Sequence, residues 1–209
     1  MNILCINTCF KTSNVELLND EHKYFAKQQS SLQHSVVLMT QIEEVFEKSK
    51  IRSENLNYIC VAVGPGSFTG IRIGVAVSKG LSDTTNARII PIDTLSLIAY
   101  NSTISPDYIV VKGISDEYFL GECKDGKVVN KILITKENLL KKLTSNTRLA
   151  TIDDLGDDFR CVIECVEKLD MNQIALDNVK NAVESIYVEP FYLRLSQAEM
   201  QKGENNANS

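Results

Sequence analysis

The first thirty residues set three short apolar runs between polar breaks: ILCIN, NVELL and HKYFAKQ, with Asn19-Asp20 separating the second from the third. Runs of this length around a turn signal predict three strands in an antiparallel meander. From Ser31 to Ser49 the period changes: Leu38, Ile42 and Val45 recur at helical spacing, and Glu43, Glu44, Glu47 and Lys48 take the polar side. An amphipathic helix is expected there. Tyr58 to Val63 reads YICVAV, an unbroken apolar run closed by Gly64-Pro65-Gly66, as in a strand buried on both faces. The next stretch, FTGIRIGVAVSKGL, is apolar on two sides if helical, with Ile71 and Val75 on one and Ile73, Val77 and Leu81 on the other. RIIPI at Arg88 to Ile92 predicts another strand, after which Asp93 or Thr94 can cap a helix through LSLIAY.

The order β-β-β-α-β-α-β-α over the first hundred residues ends in the alternation of a parallel sheet, which makes this an α/β chain. Beyond Pro106, YIVVKGI, EYFLGEC and VVNKILI predict strands, the last two joined by Lys124-Asp125-Gly126-Lys127. KENLLKKL, DFRCVIECVEKL and NQIALDNVKNAV predict helices, and IYVEPFYLRL an extended segment. A boundary near residues 101 to 107 divides the chain into residues 1–103 and 104–198. The polar end, residues 199–209, is expected to be disordered.

With 44% apolar and 23% charged residues, 10 Gly and 4 Pro, the composition is that of a globular chain and excludes collagen-like and wholly disordered classes. Twenty-two basic against 27 acidic residues give a net charge of -5. Such a balance argues against a protein whose affinity comes from neutralising nucleic-acid phosphates, so any grip on RNA is expected to come largely from a partner. No apolar run approaches the roughly 18 to 20 residues that span a bilayer, and the start carries no basic leader, so a cytoplasmic protein is expected. The six cysteines, in settings such as NILCIN and NYICVAV, read as reduced thiols. The C-x3-C pairs Cys5/Cys9 and Cys161/Cys165 lack the C-x2-C knuckle of a zinc site, and small core residues are the favoured reading.

GPGSFTG, Gly64 to Gly70, lies between a buried strand and a helix. It can be a phosphate cradle of Gly64, Gly66 and Ser67, or a strand-to-helix turn capped by Ser67 or Thr69. It matches neither G-x-x-x-x-G-K-[ST] nor G-x-G-x-x-G. The two histidines, His22 and His34, are too far apart for one helical face and support neither a metal pair nor a dyad. Asp153-Asp154 and Asp157-Asp158 are read as a solvated, helix-initiating loop. Arg72, alone in an apolar helix, must reach solvent, a carboxylate or a phosphate. Gly70, Gly74 and Ser78 form a run of small residues that admits another helix, and the first helix carries a second stripe of Val36, Met39 and Phe46. Two helices with spare apolar surface make either a docking face or a face covered by the chain's own second domain. Lys141, Lys142 and Arg148 are a candidate basic patch.

VGPGSFTGIRIGVAVSKGL, preceded by INT in the first strand and HS at the first helix, resembles the TsaB (YeaZ) family. These are tRNA threonylcarbamoyladenosine biosynthesis subunits of the actin-like ATPase superfamily. The terminal PFYLRLSQAE resembles the family's P-x-YLR segment, while residues 101 to 185 match only in outline. The resemblance implies two actin-like, ribonuclease H-like lobes with mixed sheets flanked by helices, the second smaller and more degenerate. It implies a non-catalytic scaffold for threonylcarbamoyl transfer to the adenosine next to the anticodon in tRNAs reading codons that begin with A. That scaffold binds and activates a catalytic TsaD-like paralogue, with a TsaE-like ATPase, and can form a homodimer; tRNA is met only through the complex.

The implied interface comprises Val36, Met39, Phe46, Ile71, Arg72, Gly74, Val75 and Ser78. The resemblance further implies that no cofactor is required of this chain, with ATP or ADP and metal expected on the partner subunits. TsaD-like chains carry H-x-x-x-H just after the strand that follows the glycine-loop helix. Here IPIDTLSLIA places Thr94 and Ile98 at those positions, and neither side chain replaces an imidazole on a metal. Asn7 stands where the family has an Asp in I-D-T. The alternative reading is a nucleotide-binding ATPase or a peptidase-like enzyme of the same superfamily.

Overall fold

The computed structural model describes residues 1–20, 22–26 and 34–192, with side chains in the first helix from Val37 onward. Two five-stranded mixed sheets form the two lobes. The first sheet runs β3-β2-β1-β4-β5, from β1 (Asn2–Asn7), β2 (Asn14–Asn19), β3 (His22–Phe25), β4 (Tyr58–Ala62) and β5 (Arg88–Ile92). Its meander is antiparallel, and β1-β4 and β4-β5 are parallel. Parallel pairing needs crossovers, and α2 (Phe68–Thr85) supplies the one between β4 and β5. Against the same sheet α1 (His34–Ser49) buries Leu38, Ile42 and Val45, the stripe read from its period, in one core with Ile71 and Val75 of α2.

The second sheet repeats this topology. Its order is β8-β7-β6-β9-β10, from β6 (Tyr108–Lys112), β7 (Glu117–Lys124), β8 (Lys127–Thr135), β9 (Arg148–Thr151) and β10 (Val162–Cys165). Again the first three strands are antiparallel and the last two join in parallel. The two-residue turn Asp125-Gly126 has φ of 50° and 74°, the left-handed pair that suits a hairpin's twist. The lobe is smaller: α4 (Lys136–Lys142) has seven residues where α1 has sixteen, and no helix separates β9 from β10.

DFRCVIECVEKL departs from the helix expected of it. Val162–Cys165 is a strand paired in parallel with β9, because pairing at an open sheet edge outweighs a weak helical period in a β-branched run. The acidic loop before it therefore initiates no helix; Asp153 accepts the Lys112 amide at 2.7 Å and Asp158 pairs with Lys136 at 2.5 Å. NQIALDNVKNAV contracts to α5 (Asn172–Asp177) and a 3₁₀ turn at Val179–Asn181. Residues 185–187 make another 3₁₀ turn where an extended segment was expected. The calls on residues 193–209, including the disordered tail, lie outside the described residues.

The chain crosses between the sheets twice, once after α3 (Thr94–Asn101) and once after β10. The second crossing returns to the first lobe. Met171, Ile174, Ala175, Ala182 and Val188 are buried in the first-sheet core, and Val183 and Ile89 exchange two backbone hydrogen bonds at 2.8 Å. The segment after Leu169 is thus built into the first lobe although it follows the second in sequence. Helix α3 serves both lobes: Leu97 enters the first core, whereas Leu95 and Ile98 pack with Ile109, Val111 and Ala150 of the second. No described helix is long and apolar enough to cross a membrane. Cys5, Cys9 and Cys60 are buried and Cys123 and Cys161 half-buried, but Cys165 on the β10 edge is exposed, and all six are unpaired.

Candidate functional site

At the end of β1 the chain turns under the glycine loop, and the two segments use up each other's polar groups. Asn7 is buried and its Oδ1 accepts the Cys9 amide at 3.0 Å. The Ser67 amide donates to the Cys9 carbonyl at 2.7 Å. Ser67 is also the N-cap of α2, its Oγ accepting from the Gly70 amide at 3.2 Å. A Cβ on Gly66, where φ is 156°, would lie 2.4 Å from the Cys9 carbonyl oxygen. One on Gly64 would lie 2.8 Å from the Phe191 carbonyl oxygen. The glycines therefore admit the chain's own backbone at close range. The Ser67 amide and hydroxyl are thus engaged in the turn and the cap, while Gly66 and Ser67 also line the cleft between the lobes.

Beside this loop a cleft of about 570 Å³ opens between the lobes, lined among others by Lys11, Thr12, Ser67, Lys112, Asp153 and Asp154. Cys9 also borders it, but the thiol donates to the Ala62 carbonyl at 3.3 Å, and burial pushes its pKa up to about 12. A thiol so held is no nucleophile near neutral pH. At the positions where TsaD-like chains have histidines, Thr94 donates its hydroxyl to the Pro65 carbonyl and Ile98 is fully buried between the lobes. These two residues hold the strand-to-helix junction and the lobe contact.

The expected docking residues divide. Ile71, Gly74, Val75 and Ser78 are turned inward and offer no contact surface. The reason is the small-residue run itself: a Cβ on Gly70 would lie 1.9 Å from the Thr8 carbonyl oxygen, and one on Gly74 2.4 Å from Thr8 Oγ1. The run makes room for the end of β1, not for a second helix. The outward side of α2 is instead Phe68, Arg72 and Ala76, flanked by half-buried Ile73 and Val77. On α1, Met39 is 44% exposed and Phe46 half-buried, while the side chain of Val36 lies outside the described residues.

Arg72 reaches solvent beside two rings. Its guanidinium sits 3.8 Å from the Phe68 ring centroid, and Nε donates to Tyr192 Oη at 2.9 Å. The Tyr192 segment is fixed by the Phe191 amide, which donates to the Val63 carbonyl at 2.7 Å. The apolar pattern already contained the half-buried pair Ile73 and Val77, but periodicity alone does not say which side of a two-sided helix meets the sheet. The Phe68–Tyr192 contact, 5.1 Å between centroids, joins positions with no local signal. The basic patch is offset by carboxylates, with Lys141 on Glu137, Lys142 on Glu122 and Arg148 on Asp107.

A family profile described as TsaD, tRNA N6-adenosine threonylcarbamoyltransferase, matches residues 24–149, more than half of the chain. A tRNA threonylcarbamoyladenosine biosynthesis protein TsaB from Buchnera aphidicola subsp. Baizongia pistaciae is 31% identical over 98 residues, 46% of this chain and 44% of that protein. The TsaB of Bacillus subtilis strain 168 is 33% identical over 104 residues, 48% of this chain and 44% of that one. The chain thus spans less than half the length of these curated relatives. YeaZ from Pseudomonas aeruginosa shares the fold with a TM-score of 0.73 at 16% identity, over 92% of this chain and 99% of that one. The duplicated two-lobe architecture, the profile over more than half of the residues and the TsaB relatives together place this chain in the TsaB (YeaZ) family, within the wider group that the TsaD profile describes.

Proposed function

We propose that the protein is a non-catalytic subunit in threonylcarbamoyl transfer to the adenosine next to the anticodon, acting in the cytoplasm by docking onto a TsaD-like catalytic paralogue. The observation that carries this reading is the outward side of α1 and α2, where Met39, Phe68 and Ala76 are exposed and Ile73, Val77 and Phe46 only half covered. A row of apolar and small side chains on two adjacent helices suits helix-to-helix packing with a partner. Such a scaffold needs no nucleotide of its own, with ATP and metal carried by the TsaD-like and TsaE-like subunits, and the engagement of the Ser67 amide and hydroxyl within the turn supports this. The net charge of -5 and the offset basic patch support contact with tRNA only through the complex. A homodimer would use the same helices and compete with the partner.

Ala76→Glu is the decisive substitution because Ala76 is exposed and its replacement leaves the core intact. A charge there is expected to weaken capture of the TsaD-like partner at least ten-fold, with an unchanged melting temperature. Val75→Glu, by contrast, places a charge in the core and unfolds the chain. Unchanged capture by Ala76→Glu would remove this surface from the proposal. ATP or peptide turnover by the purified chain alone, lost in Ser67→Ala, would favour the enzyme reading.

A further inference from the structure

After its buried stretch, the segment that returns to the first lobe runs along α2 from Ser185 to Tyr192 and is fastened to that helix at both ends. Ser185 Oγ donates to Asp83 Oδ1 at 2.5 Å near the C-terminal end of α2. Arg72 Nε donates to Tyr192 Oη near its start, where the Tyr192 ring lies 5.1 Å from that of Phe68. At about 100° per residue, Phe68, Arg72, Ala76 and Asp83 fall within about 80° of one another, so both fastenings are made to the outward row of the helix. The helix rises about 16 Å from Arg72 to Asp83, a span that the 3₁₀ turn and the residues after it cover. Between the fastenings Val188 is fully buried in the first core, and the Phe191 amide donates to the Val63 carbonyl at 2.7 Å.

Ile186 and Tyr187 turn away from this base. Each is 72% exposed, more than any other large apolar side chain among the described residues. Two such neighbours on an ordered base lose little freedom when another surface covers them, which is the property of interface anchors. Arg72 adds a requirement of charge. Tyr192 takes its Nε and Phe68 lies against its guanidinium, but no ion pair among the described residues includes it. A surface that closes over this guanidinium has to bring a carboxylate, because burying the cation unpaired is costly.

We infer that Ser185 to Tyr192 form a second rail of the docking surface beside α2, on which Ile186 and Tyr187 enter an apolar pocket of the TsaD-like partner and Arg72 receives one of its carboxylates. This rests on the docking proposed for α1 and α2 and extends it to a segment outside both helices. The occupant follows from continuity: both fastenings lie on the row of Ala76, so the body that covers Ala76 also meets the rail. Apolar anchors supply affinity there, and the single cation fixes which way round the partner sits.

The test compares capture of the TsaD-like paralogue by the full chain, by the double variant Ile186→Ser/Tyr187→Ser, by Arg72→Gln and by Ala76→Glu. The double variant is expected to weaken capture on the order of ten-fold or more at an unchanged melting temperature, since both side chains are mostly in solvent. Arg72→Gln is expected to weaken capture and to flatten its dependence on salt. An unchanged salt dependence removes the carboxylate. Full capture by the double variant, with loss in Ala76→Glu, overturns the rail and leaves docking through the helices standing. Full capture by both variants removes the docking itself. If the double variant keeps capture but loses self-association in sedimentation, a second copy is the occupant and the inference falls. Should the double variant not fold, hydrogen exchange of the wild-type chain decides: slower exchange of the amides of residues 186–188 on adding the paralogue sustains the rail, and unchanged exchange overturns it.

Discussion

Gly70 is where the smallest side chain has the largest consequence. The Thr8 carbonyl oxygen occupies the place its Cβ would take, and Thr8 Oγ1 donates to the Gly70 carbonyl at 2.6 Å, so the residue that follows β1 packs directly on the main chain of α2 and is bonded to it through its hydroxyl. Gly70→Ala must push them apart. It is expected to cost about 3 kcal/mol in urea denaturation, at the upper end for overpacking, because the obstructing atom is main chain. Ser78 is the opposite case, a fully buried hydroxyl with no hydrogen-bond partner among the described residues. Ser78→Ala should leave stability unchanged or raise it by up to about 1 kcal/mol, since it removes an unmet polar group. The N-cap Ser67 was legible in the sequence because capping depends on residues three apart. Glu16 was not: in NVELL a glutamate between apolar neighbours reads as the solvent side of an alternating strand, and only the return of residues 169–172 buries it.

Among elements, those defined by local period were readable and those defined by a distant partner were not. The helices α1 and α2, the meander and the Asp125-Gly126 hairpin follow from spacing and turn chemistry within a few residues. Strand β10 exists because β9 offers an edge, and α5 is short because its neighbours fix where the chain must turn. Helix α3 starts on a cap that was also legible: Asp93 Oδ1 accepts from the Ser96 amide at 2.9 Å. Its other oxygen binds Lys131 of β8 at 2.7 Å, with both side chains largely covered, so the cap also ties the bridging helix to the second sheet. Asp93→Ala should cost about 2 kcal/mol by loss of the cap and the stranded Lys131, and Asp93→Asn less, as it keeps the cap. Thermal unfolding of both variants checks the difference.

For the molecule as a whole, α3 and the returning segment make the lobes interdependent. Met171 is fully buried in the first core although it follows every strand of the second sheet. Met171→Ala is expected to destabilise by about 2 to 4 kcal/mol, and unfolding followed by circular dichroism should stay a single transition. Two separated transitions would show lobes that melt independently. The order of the chain also imposes an order on synthesis. A ribosome releases the five strands of the first sheet early, yet must deliver all of the second sheet before it supplies Met171, Ile174, Ala182 and Val188. Until then the nascent polypeptide carries an uncovered apolar floor, which makes the interval between β5 and α5 the period in which chaperones matter most.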